Sequence, residues 1–357
     1  MLNSFIQALK FNSKWFGVFA LLLVTLFLFA VPNGQSGFQT QLQCKQRGVC
    51  WVGGRKIVTE KEFEPLVRNN IDWISQTPFA WQSSPNDPNI RMNTGSERSW
   101  WGESDEGLTT TTELAKKSNV KTLLKPHLWI RNSWPGEIKM NSDKDWNDWF
   151  ANYQTFILHY ARLAEKNKVE IFCLGTELAI ASTHETAWRK IIQEIRKVYS
   201  GKLTYAANFN EEYEQVKFWD ALDFIGIQAY FPLSKTTHPT TEEMIASWST
   251  HLQSVEKVYK KFKKPVIFTE IGYKSTADAA IEPWKWPQEN RAATPSDETQ
   301  AKCYEAFFKS VWKKDWLAGV YFWKWYPHGE HSLQKIDFTP QGKLAEEIIL
   351  KNFSSYD

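Results

Sequence analysis

Two apolar runs of this chain finish on a carboxylate: "EIFCLGTEL" at Glu177 and "PVIFTEIGY" at Glu270, the second breaking at once at Gly272. A lone glutamate at the end of a strand is most often an ion-pair partner or a loop anchor. Two on one face change the argument, because like charges in a partly dry cleft cost stability unless they are used. Two carboxyls across a cleft can divide the cleavage of an acetal between them: one gives a proton to the leaving oxygen, and the other attacks the carbon or activates water. That chemistry needs no cofactor, and the sequence contains no HExxH, CxxC or GxGxxG pattern. No metal or cofactor is expected.

The elements that must position such a pair follow from periodicity. Eight β-rich apolar runs start at Gly48, Ile71, Val120, Val169, Leu203, Phe224, Pro265 and Gly319. They alternate with stretches such as "WNDWFANYQTFILHYARLAEKN", where apolar residues recur at three and four. Near-continuous apolar strands alternating with helices predict an α/β fold, a single (β/α)8 TIM barrel over residues 40–357. A doubly wound open sheet is the competitor, but "VGGR" after the first run lacks the dinucleotide fingerprint. Glu177 then ends the fourth strand and Glu270 the seventh, 93 residues apart, or three βα units of about 31 residues each. The long loops follow strands 2, 3 and 7, whereas helix-to-strand joins such as "KNKV" are short, so the elaborated face is the C-terminal one that carries both glutamates. Strict alternation along strand 4 puts Cys173, Gly175 and Glu177 on one side and Phe172 and Leu174 on the other.

Composition bounds the partners. Of 357 residues 19 are Trp, more than a core requires, and flat rings with a polar edge suit sugars as well as cores. The net charge of +3 includes Lys10 and Lys14 of the leader, leaving no basic excess for a nucleic-acid partner. Residues 1–36 read as a signal peptide or an N-terminal membrane anchor, with lysines ahead of an uncharged apolar run over residues 15–31 that Pro32 closes. The barrel is therefore expected outside the cytoplasm, whether secreted, periplasmic or attached to the membrane through residues 15–31, and as a monomer. Export and proximity suggest a disulfide between Cys44 and Cys50, while Cys173 and Cys303 read as buried thiols.

Other residues at strand ends extend the site. Asn208 ends strand 5 and offers both a donor and an acceptor. His127, in "KPHLW", sits where strand 3 opens. Trp146, Trp149, Trp188, Trp248, Trp312 and Trp316 lie on helical patterns and suit packing; Trp51, Trp129, Trp134, Trp284, Trp286, Trp323 and Trp325 lie at strand ends or in long loops and suit stacking on sugars.

The wording "CLGTEL", "LKPHLWIRNSWPGEI", "FTEIGY" and "DFTPQGKLAEE" resembles glycoside hydrolase family 113, within clan A of the retaining glycosidases, over roughly residues 46–351. The resemblance implies β-1,4-mannan as substrate, Glu177 as acid/base and Glu270 as nucleophile. It also implies Tyr230, at the end of strand 6, as the residue that orients the nucleophile, and Trp323 or Trp325 on strand 8 as the platform beneath the reacting sugar. Many clan A enzymes place Asn before the acid/base; Thr176 stands here, so a hydroxyl takes over the usual contact to the sugar 2-hydroxyl or that contact is missing. The alternatives are a retaining hydrolase of another β-glycan, such as β-glucan or galactan, and a non-catalytic exported glycan-binding barrel.

Overall fold

The computed structural model describes residues 45–92, 100–286, 293–329 and 335–354, all within the compact unit Cys44–Asp357. The leader, its apolar run and Cys44 lie outside the described residues. Among the described residues no helix is long and apolar enough to cross a membrane.

Among the described residues ten strands occur in chain order: β1 (Gln46–Trp51), β2 (Trp73–Gln76), β3 (Phe79–Gln82), β4 (Lys121–Leu124), β5 (His127–Ile130), β6 (Ile171–Thr176), β7 (Lys202–Asn208), β8 (Ile225–Gln228), β9 (Val266–Ile271) and β10 (Leu317–Trp325). Eight of them close a parallel barrel in the order β1-β2-β4-β6-β7-β8-β9-β10, with β10 pairing back to β1. The remaining two, β3 and β5, form a separate parallel ribbon. The second and third apolar runs are thus each split in two. The splits fall at Thr77-Pro78 and Lys125-Pro126, and a proline has no N–H to give a ladder. The chains still run side by side through the breaks, since Lys125 N donates to Gln76 O at 2.8 Å and His127 N to Pro78 O at 2.9 Å.

Alternation along the strands sorts the apolar residues into two layers. Cys50, Trp73, Leu123, Ile171, Cys173, Ala206, Phe224, Ile267 and Tyr321 fill the barrel interior. Phe172, Leu174, Phe268 and their like face the helices, where Trp149, Trp188, Trp248 and Trp312 are buried as helix-to-barrel packing. Ser142, Thr240 and Ser296 cap the helices Asp143–Lys166, Thr241–Phe262 and Asp297–Ser310 by accepting from backbone N–H groups in the first turn. Asn70, Asn119, Lys168 and Lys263 adopt left-handed φ between 50° and 57° where helices hand over to strands, the usual way a helix is stopped. These tight joins lie at the end of the barrel opposite the glutamates.

Candidate active site

Both glutamates follow a slip in strand register. Between β6 and β7 the pairing runs Cys173 with Thr204 and then Thr176 with Ala206, so β6 carries one extra residue. The extra residue breaks the expected alternation. A Cβ on Gly175 would lie 2.6 Å from the ring of Tyr205 and 2.9 Å from Trp188, both on the helix side, so Gly175 does not share the side of Cys173. Thr176 takes the inward place, its Oγ1 lying 4.0 Å from Cys173 Sγ. Glu177 is then set by a left-handed backbone, φ 51°, and by its N–H donating to Ala206 O at 2.8 Å. Between β8 and β9 the pairing runs Ile227 with Phe268 and then Gln228 with Glu270, leaving Thr269 extra. Register slips of this kind bend a strand and re-aim a side chain; here they bring two glutamates from different strands to one end of the barrel.

Glu270 is buried and surrounded by donors. Lys125 Nζ hydrogen-bonds its Oε1, with the lysine side chain 0% and the glutamate side chain 5% exposed. Tyr230 OH donates to Oε2 at 2.7 Å, and His127 Nε2 lies 3.7 Å from Oε1. Burial alone would raise the carboxyl; the Lys125 charge, with the hydrogen bonds from Lys125 and Tyr230, more than offsets it and holds Glu270 below the usual carboxylate range. Burial likewise pulls against the Lys125 ammonium, but the Glu270 charge keeps it above the ordinary lysine range. His127 is the neutral member: burial and then the Lys125 charge push its imidazole down to about 3. Its Nε2 has no hydrogen-bond partner.

Glu177 has the opposite environment. Asn208 Nδ2 donates to Oε1 at 2.6 Å and Trp134 Nε1 approaches Oε2 at 3.3 Å. Burial and the Glu270 charge outweigh those bonds and push the Glu177 carboxyl up to about 7. Behind it stands another carboxyl, Glu212, 2% exposed. Glu212 accepts from Asn208 N at 2.6 Å and from Tyr205 OH at 2.5 Å, and Tyr205 OH in turn accepts from Leu178 N at 3.0 Å. Glu212 thereby ties the backbone after Glu177 to the asparagine that holds its side chain.

The structure brings Glu177, Glu270, Tyr230, His127 and Asn208 together as the sequence suggests. Several expectations need correction. Trp51 is 3% exposed and stacks on Phe63 at 4.8 Å, so it is a core residue with no face for a sugar. Of the two strand 8 candidates for the platform, Trp323 packs against the interior cluster, whereas Trp325, 1% exposed, belongs to the helix-side core and has no face for a sugar. The Trp323–Lys324 peptide is cis. Thr176 is buried with its hydroxyl 3.5 Å from Pro126 O, and the asparagine beside Glu177 is Asn208 instead. Trp129 and Trp284 remain open to solvent, Trp284 packing one side on Phe209. Among the described residues Cys50 is a buried thiol whose Sγ approaches Thr269 O at 3.6 Å; its expected disulfide partner, Cys44, lies outside the described residues.

Sequence reasoning missed Lys125, Glu212 and Tyr205. Lys125 had a signal: a single cation inside the apolar run "TLLKPHLW" needs a buried anion. Glu212 had none, standing in an acidic stretch that reads as a solvated loop. Among the described residues no group of three or more His, Cys, Asp or Glu could hold a metal ion. An open hollow between the helices Asp143–Lys166 and Glu185–Val198, lined by Trp146, Phe150 and His184, includes neither carboxylate.

A closed parallel barrel whose C-terminal end presents two carboxyls of opposed protonation, among amide, phenol and indole donors, is the frame of a glycoside hydrolase. The chain belongs to Glycoside Hydrolase Family 113, whose sequence profile matches residues 54–343. The β-mannanase AaManA of that family from Alicyclobacillus acidocaldarius, solved with ManMIm, superposes with a TM-score of 0.76 at 26% identity, over 88% of this chain and 98% of that one. A second structure, a β-1,4-mannanase of the same family, gives 0.75 at 28% identity over 88% and 99%. A β-glucuronidase from Ruminococcus gnavus, at 13% identity and 0.58 over 86% of this chain and 49% of its own, shares the fold alone. No curated protein sequence matches the chain at a significant level.

Proposed function

We propose that this protein is an exported hydrolase of β-1,4-mannan or manno-oligosaccharides that works with retention through Glu270 as nucleophile and Glu177 as acid/base. The observation that carries the reading is the opposed bias of the two carboxyls: Glu270 held ionised against Lys125 and Tyr230, Glu177 held protonated to about pH 7. A pair of titratable groups pushed apart by their surroundings defines the base or nucleophile and the acid. Glu270 Oε attacks the anomeric carbon while Glu177 gives its proton to the departing glycosidic oxygen; the same Glu177, now ionised, takes a proton from the water that releases the sugar from Glu270. Tyr230 and Lys125 hold Glu270 in place, and Asn208 and Trp134 hold Glu177. Mannan as substrate is supported by the two family 113 structures, both described as mannanases. Export is supported by the apolar run after Lys10 and Lys14.

Azide trapping tests the roles. Glu177→Ala should still form the glycosyl-enzyme readily from an activated aryl mannoside but not from mannan, and azide should speed its slow release and give the β-mannosyl azide; Glu270→Ala with azide should give the α anomer. The same anomer from both variants would refute the assignment. A panel of mannan, β-glucan and galactan tests the substrate, and a carboxyl separation outside about 5–5.5 Å would argue against retention.

A further inference from the structure

The ribbon made by β3 and β5 is not needed to close the barrel, yet one of its faces begins at the nucleophile. Pairing sets Phe79 beside His127, Ala80 beside Leu128, Trp81 beside Trp129 and Gln82 beside Ile130. The even partners are buried: Ala80, Leu128 and Ile130 join the main core, and Gln82 Oε1 accepts from Trp149 Nε1 at 3.0 Å. The other face starts with His127, whose Nε2 lies 3.7 Å from Glu270, and with Phe79 against it at 5.1 Å. Two residues further out on that same face stand Trp81 and Trp129, 38% and 47% exposed. Strand spacing puts this second pair about 7 Å beyond the first and places the two tryptophans on neighbouring strands about 4.8 Å apart. Among the described residues neither indole stacks on another aromatic side chain. Burying such a pair would be favourable, and the ribbon instead keeps both rings at the surface, one step from the reacting carboxyls.

We infer that the outer face of the β3–β5 ribbon is a sugar-binding track, on which Trp81 and Trp129 together carry the pyranose units of the substrate chain that lie one or two rings from the bond being cleaved. The occupant is the substrate polysaccharide itself, because the face is continuous with the nucleophile through His127 and because paired indoles offer a flat apolar surface with N–H groups at its edge, matched to the apolar face and hydroxyl rim of a β-linked sugar. The inference rests on the hydrolase reading for the identity of the chain, but the ribbon's role is read separately from catalysis.

The test measures binding by titration calorimetry in a Glu270→Ala background, with mannobiose and mannohexaose as probes, before and after adding Trp81→Ala, Trp129→Ala or both. Each truncation should weaken mannohexaose about ten-fold, with a much smaller effect on mannobiose, at an unchanged melting temperature. Hydrolysis by the otherwise wild-type double variant should show the same length dependence in KM. Equal losses on both probes, or none on mannohexaose, would overturn the track, as would a dimer in the parent that the double variant dissolves. If the wild-type protein fails to hydrolyse mannan while the calorimetry still shows length-dependent loss on some β-linked oligosaccharide, the substrate reading fails and the track stands.

Discussion

Removing the cation beside the nucleophile should reveal how much of the site's order rests on one buried ion pair. In Lys125→Met the Glu270 carboxylate stays at 5% exposure with Tyr230 as its remaining close donor. Breaking a buried pair from one side costs roughly 3–5 kcal/mol, because the surviving charge keeps its desolvation penalty. For a barrel of this size that corresponds to a melting temperature lowered by on the order of 10 °C at pH 7. The sign of the pH dependence follows from the shifts. In the wild type the Glu270 carboxyl is depressed, so its stabilisation is present at neutral pH and fades as pH falls through that depressed value. In the variant burial dominates and raises the carboxyl, so the folded state binds the proton more readily and the stability deficit shrinks on acidification. The acid limb of kcat/KM should move to higher pH for the same reason. Replacing both partners, Lys125→Met with Glu270→Gln, should recover most of the lost stability, since no orphaned charge remains. Calorimetric melts of the four proteins between pH 4 and 8 check this. A deficit that does not narrow in acid, or a double variant that loses the sum of the single losses, would show that Lys125 and Glu270 are not coupled and would remove the basis for an ionised nucleophile.

Further outcomes follow from the acid/base side of the site. The alkaline limb of kcat/KM should fall near pH 7, where Glu177 loses the proton it must donate; the Glu177 charge helps raise Glu212, and because repulsion between two carboxylates is mutual, Glu212→Gln should shift that limb to lower pH, whereas an unmoved limb with lower stability would make Glu212 a packing residue. Gly175→Ala drives a methyl group into Tyr205 and Trp188 and should destabilise the fold by about 1–3 kcal/mol, with the loss of activity on mannan exceeding that on an activated aryl mannoside because Glu177 is displaced; equal losses on both substrates would speak against that displacement.

The chain's own pattern determined the architecture. Helix-period stretches alternating with apolar β-rich runs define (β/α)8 without reference to any contact, and the ends of the fourth and seventh runs place Glu177 and Glu270 on one face because every parallel strand points the same way. Asn208, at the end of the fifth run, was legible for the same reason, and Tyr230 through the family resemblance. What tertiary structure alone decided was the aim of those side chains. Strict alternation would place Gly175 inward with Glu177 and would turn Glu270 away from Thr269's side; register slips against β7 and β8 reset both. A register is a relation between strands some thirty residues apart, so no local pattern carries it. The same holds for Lys125, whose partner lies 145 residues away, and for the tryptophans. Trp51 and Trp325 sit at strand ends like Trp129, yet the first two are closed in the core and the third stands open, because burial depends on which element packs above a residue once the barrel has closed.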